Sequence, residues 1–226
     1  MSRRKPASSA RGVTVPEIMT VAVIAVIVTT IIVSLFVSIS GTAGAEQIDS
    51  DLVQSANDAL YQIQRDVRQS DPNGIFACSG SGGAVTCTPG SSLTTPTDVQ
   101  YLAVLTARDG GDGTVQWDNS GRPAWTGFNI YWLAPDGQGS NDLASGFAPA
   151  QIAPGANPSI LNADVINAVS SASTTTSPSI IAHSILDIKT MVDVSKDRVA
   201  IRIISQSTDG GDTNSTSVES DAYARN

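Results

Sequence analysis

One histidine and two cysteines in 226 residues leave little material for metal or nucleophile chemistry. Two cysteines with eight residues between them and no histidine nearby make a poor zinc site. The chain lacks a G-x-S-x-G elbow, a P-loop and a G-x-G-x-x-G turn, so neither a nucleophile elbow nor a phosphate cradle is available. The lone His183, beside Ser184, reads as an ordinary strand residue rather than a general base. Positive charge is also short. Thirteen Lys and Arg stand against twenty-one Asp and Glu, for a formal charge of −8. With no basic stripe to neutralise phosphates, direct nucleic-acid binding is not expected.

The most informative absence is charge over 13–39, where Glu17 is the one ionisable side chain among Val, Ile, Ala and Leu with scattered Thr and Ser. At about 1.5 Å per residue this run crosses a bilayer core of roughly 30 Å with length to spare. Arg3, Arg4, Lys5 and Arg11 precede it, and the next basic residue is Arg65. That asymmetry keeps the short N-terminus in the cytoplasm and sends the remainder outside. A carboxylate inside such a span needs a partner. A cut after Gly12 would give Val13 a new ammonium group, with Glu17 as fifth residue of the shortened chain. The two charges could then neutralise each other within one subunit or between two. Glu17 also sits in the helix's first turn, where negative charge complements the dipole.

The stretch Gly12-Val13-Thr14-Val15-Pro16-Glu17, behind a short basic leader, resembles the class III signal of type IV pilins and of the pseudopilins of type II secretion. The resemblance implies cleavage after Gly12 by a prepilin peptidase, N-methylation of Val13, and an assembly role for Glu17. Pro16 departs from the commonest pattern, but a helix's first turn tolerates proline. Losing 1–12 would remove four of the thirteen basic residues and no acid, taking the formal charge from −8 to −12. Two plainer readings compete. One is an uncleaved signal anchor. The other is a secretory signal peptide cut after Ala43-Gly44-Ala45, although the apolar run is about twice the usual 7–15 residues.

Beyond the span, glycines at 41 and 44 predict a flexible joint. A helix then resumes over 46–69, with Ile48, Leu52, Ala56, Leu60, Ile63 and Val67 as one apolar stripe. Asp49, Asp51, Asn57, Gln64 and Arg65 fall between them and are expected to face water. Asp71-Pro72-Asn73-Gly74 ends it with turn chemistry. Cys78 and Cys87 flank a Gly/Ser-rich loop, and outside the membrane a local disulfide is the favoured reading.

The remainder reads as strands and turns. Segment 99–105 is β-prone and 114–117 is a short piece. Phe128, Ile130 and Trp132 alternate with Asn129, Tyr131 and Leu133, and Pro135-Asp136-Gly137 closes that strand. A long irregular stretch is expected over 137–179, with a short helix around 161–169 and a low-complexity run at 170–177. Segments 186–194 and 199–203 form the clearest hairpin, turning at Ser195-Lys196-Asp197.

The predicted organisation is a basic leader over 1–12, a transmembrane helix over 13–40, an amphipathic helix over 41–71 and a β-rich domain over 72–226. The fold class is α+β, with the long helix packed on an antiparallel sheet in the pilin manner. The order of elements resembles PilW-like minor pilins and the J-type pseudopilins. That resemblance implies a minor filament subunit, not an enzyme, sitting near the tip or priming assembly. Its partners would be the peptidase, other pilins or pseudopilins, and the bacterial inner membrane it occupies before entering the filament. Some pseudopilins bind calcium, which makes Asp109, Asp112, Asp118, Asp209 and Asp212 candidate ligands. Neither acidic glycine loop has EF-hand spacing, and Asp-Gly is common turn chemistry, so turns are the favoured reading. No other cofactor is expected. The rival is a membrane-anchored or exported binding domain without a filament role, its contacts in the loops over 137–179.

Overall fold

The computed structural model describes residues 14–80, 85–108, 114–119, 121, 123–137, 140–150, 158–173, 178–209 and 212–224. Gly12, Val13, Asp109 and Asp112 lie outside them. The chain divides into two compact units, Met1–Gln47 and Ile48–Asn226. Helix α1, Val15–Val67, runs through both and is helical across 41–44, so the predicted joint does not form in the backbone. Each glycine costs a helix interior only about 1 kcal/mol, too little by itself to end a helix that continues on either side.

In the first unit α1 carries an apolar span, Val15–Ile39, of 25 residues and mean hydropathy 2.8. Its side chains are exposed throughout. The hydroxyls within it are satisfied by the helix itself. Thr20 Oγ donates to the Pro16 carbonyl (2.9 Å), Thr29 to Ala25 (2.8 Å), Thr30 to Val26 (2.8 Å) and Ser34 to Ile31 (3.0 Å). These four hydroxyls are thus paired inside the span, as a hydrocarbon environment requires.

The second unit is α+β. After α1 a short 3-10 turn, Pro72–Gly74, is capped by Asp71, whose carboxylate accepts from Asn73 N–H at 2.7 Å. The strands follow as β1 (Ile75–Ser79), β2 (Thr86–Pro89), β3 (Thr97–Asp98), β4 (Tyr101–Thr106), β5 (Gly127–Pro135) and β6 (Asn141–Pro149). Helix α2 (Pro158–Ser173) intervenes before β7 (Ser179–Asp193), β8 (Arg198–Asp209) and β9 (Asp212–Tyr223). All pairings are antiparallel, in the order β2-β1-β4-β5-β6-β7-β8-β9, with β3 added against β7.

Two hydrophobic layers hold this sheet. On one face the end of α1 buries Ala56, Ala59, Leu60, Ile63 and Val67 against Leu102, Val104, Tyr131, Ile188, Val199 and Ile201. On the other, α2 buries Val165, Ala168, Val169 and Ala172 against Phe76, Leu105, Phe128, Ile130 and Trp132. The alternation read in β5 is therefore apolar on both faces, Phe128, Ile130 and Trp132 toward α2 and Tyr131 toward α1. A central strand with covered faces is expected to read this way.

The described part of 137–179 is mostly regular rather than irregular as predicted, while 138–139, 151–157 and 174–177 lie outside the described residues. Strand β6, Asn-Asp-Leu-Ala-Ser-Gly-Phe-Ala-Pro, has little intrinsic β preference and forms by pairing with all nine residues of β5. Helix α2 is longer than expected and starts on Pro158, where proline's fixed φ suits the first turn. The predicted hairpin is present as β7 and β8, but it is not the last one. A second hairpin follows, in which β8 pairs with β9 and the last pair is Asp209 with Asp212.

Candidate functional site

At the start of α1, Thr14 is the N-cap and its carbonyl accepts the first helical bond from Ile18 N–H at 3.2 Å. Glu17, three residues on, reaches back over the helix end. Its Oε2 accepts from Thr14 N–H at 2.9 Å and from Thr14 Oγ–H at 3.0 Å. Pro16 lies between them and has no N–H to satisfy. The arrangement is a variant of the capping box, in which the threonine hydroxyl donates to the glutamate rather than accepting. The spacing T-x-x-E over 14–17 is its sequence signature, and the expectation for Glu17 left it out. Glu17 is thus held at the helix end by its own neighbours while its carboxylate stays exposed.

At the other end of α1 the fold buries a second carboxylate, and this one was not foreseen. Asp66 is 3% exposed. Its Oδ2 accepts from Tyr131 Oη–H at 2.6 Å and from Asn129 Nδ2–H at 2.7 Å, while Oδ1 accepts from Arg65 Nε–H at 3.2 Å. Asn129 and Tyr131 are alternate residues of β5, so the cluster pins the last helical turn to the middle of the sheet. An acid in the last turn opposes the helix dipole, so Asp66 must gain from its donors what that position costs. Position 66 is three residues past Ile63 and seven past Ala59, on the buried side of the helix. That placement was the readable signal. Gln64, expected in water, is also buried and donates to Ser220 Oγ in β9. Beside this cluster lies a polar cleft of 260 Å³ lined by Arg65, Arg108, Asn129 and Phe147, with Arg108 Nε donating to Gln69 Oε1 at 2.6 Å.

Burial first, and the neighbouring Asp66 carboxylate second, push the Tyr131 phenol well above its ordinary value. The folded state therefore keeps a proton that the unfolded state loses above about pH 10. Stability should be unaffected by this group below that pH. It should then fall by about 1.4 kcal/mol per pH unit as pH rises further. Urea unfolding at pH 9 and pH 11 tests the sign. The expected result is a midpoint loss at pH 11 that is smaller in Tyr131→Phe.

Cys78 and Cys87 are joined by a disulfide between directly paired residues of β1 and β2. A closed loop this short contributes on the order of 2–3 kcal/mol, and such bonds persist in oxidising compartments. His183 lies exposed on β7. Its Nδ1 is 3.0 Å from Asp142 Oδ1, and its backbone N–H donates to Ser55 Oγ at 3.2 Å. The pair ties β6 and β7 where their register shifts, next to Ser184 at φ 58°.

Of the acidic glycine loops, Asp209 and Asp212 form the closing pair of the β8–β9 turn, and Asp118 sits in a turn closed by Gly121 N–H. Among the described residues no three His, Cys, Asp or Glu side chains gather as metal ligands. Comparisons with protein-family models, with curated proteins and with solved structures give no match. The functional reading rests on the chain's own chemistry.

Proposed function

We propose that the chain is a minor subunit of a type IV pilus or of a type II secretion pseudopilus. The observation that carries the reading is Glu17, the one charge in an apolar helix of membrane-crossing length, placed behind Gly12 and four basic residues. The precursor waits in the inner membrane with its second unit outside. A prepilin peptidase cuts after Gly12 and methylates Val13. The apolar helix then leaves lipid for a bundle of like helices, where Glu17 meets a neighbour's terminal ammonium. Two further features support export and anchoring: the disulfide, and hydroxyls in the span that need no outside partner.

Mass spectrometry of the membrane-extracted protein tests the reading at its first step. The expected mature end is Val13 carrying one added methyl group. A chain beginning at Glu46 would sink the proposal. An intact Met1 would favour a second reading, a domain on a permanent membrane anchor. That reading draws on the capping box, which gives Glu17 a purpose within its own helix.

A further inference from the structure

The sheet has two ends, and the chain protects them unequally. At one end β2 has four residues, finishes on Pro89 and is stapled to β1 by the disulfide. Part of the free edge of β7 is covered by β3, through Thr97 against Thr190 and Asp98 against Lys189. Among the described residues the other end, β9, has none of these devices. It runs twelve residues, pairs with β8 in unbroken register from Asp209↔Asp212 to Arg198↔Tyr223, and contains no Lys, Arg or Pro. Proteins blunt a long flat edge with exactly such features because its open N–H and C=O groups template another strand.

The direction of those groups is fixed. Ala224 N–H donates to the Asp197 carbonyl at 2.8 Å, so even-numbered residues bond inward to β8. The odd-numbered residues Thr213, Ser215, Ser217, Glu219, Asp221 and Tyr223 turn their backbone groups outward. Their side chains share the face away from α1, where all but the half-buried Asp221 are exposed.

We propose that this edge pairs with the same edge of a second copy, antiparallel, about a two-fold axis at Ser217. The sequence is self-complementary about that point. Ser215 and Glu219 lie two residues either side, and Thr213 and Asp221 lie four either side. Each carboxylate of one copy then faces a hydroxyl donor of the other, and no two acids oppose. The contact is isologous, closes on itself, and continues the sheet from one copy to the next. A foreign strand would need no such symmetry. This pairing goes beyond the filament proposal and does not depend on processing at Gly12.

The test uses the full chain in mild detergent. Wild type should be dimeric at micromolar concentration by light scattering. Ser217→Pro removes an N–H that points away from β8, so the folded unit loses only an exposed bond from Arg202 to Ser217 Oγ and its circular dichroism spectrum should be unchanged. By symmetry the dimer loses two ladder bonds, and association should weaken about thirtyfold. Ser217→Cys should oxidise to a linked dimer, because paired Cα atoms lie about 5.5 Å apart. Ser215→Cys alone should not, its copies being about 14 Å apart, yet mixed with Glu219→Cys it should link. A monomeric wild type, association unaltered by Ser217→Pro, or linking at Ser215→Cys as strong as at Ser217→Cys would each overturn the pairing.

Discussion

Asp66→Ala should destabilise the second unit by about 3–5 kcal/mol, near the limit for one substitution. The reason lies in what stays behind. Tyr131, 1% exposed, loses the carboxylate that takes its buried hydroxyl proton and keeps only the Gln62 side chain beside it, and the Asn129 amide loses its partner as well. Each stranded donor costs roughly 1–3 kcal/mol, and the space left by the carboxylate adds to it. Arg65 is about half exposed and can turn to water, so its share is small. Asp66→Asn should cost less, because one acceptor oxygen remains, but its amide then meets a donor. A double-mutant cycle with Tyr131→Phe should show a coupling of about 1–3 kcal/mol. Urea unfolding of the full chain in detergent, followed by tryptophan fluorescence, measures all four corners. A loss below about 1 kcal/mol for Asp66→Ala would mean that water satisfies the donors and that the cluster does not pin the helix.

What could be read from the chain follows its periodicities. The apolar span shows as an unbroken run without charge but for Glu17, the stripe Ala56, Leu60, Ile63 and Val67 and the β7–β8 hairpin repeat a pattern of fixed period, and each is present. Reading polar residues as wet misplaces Gln64 and leaves Asp66 without a role, although the spacing of Asp66 from Ile63 sets it on the packed side. Strand β6 was hidden for another reason. Ala144, Ser145 and Gly146 say little about local conformation, and only β5 and β7 on either side make them a strand. β9 is nearly all polar, and its place at the sheet edge explains why it can be. The capping box at Thr14 and Glu17 was open to view, but the resemblance to a pilin signal offered the glutamate a more distant role first.

That double account of Glu17 makes its replacement the sharpest test of the proposed function. Glutamine accepts hydrogen bonds at the third helical position as glutamate does, so Glu17→Gln keeps the cap on Thr14 and removes only the charge. In a membrane anchor this variant should be silent, since it also removes a poorly solvated carboxylate from the span. In a filament the neighbour's ammonium would be left unpaired in a low dielectric. Assembly should then fall by about a hundredfold or more, while membrane level and cleavage stay normal. Glu17→Ala removes cap and charge together, so alone it cannot separate the two roles. Beside Glu17→Gln it isolates the cap as whatever further loss appears. Glu17→Asp retains the charge with a shorter reach and should fall between wild type and Gln. Filament number and co-purification with other subunits are the readouts. If Glu17→Gln assembles at wild-type yield and Glu17→Ala merely frays the helix start, Glu17 is a cap and the anchor reading is the better one.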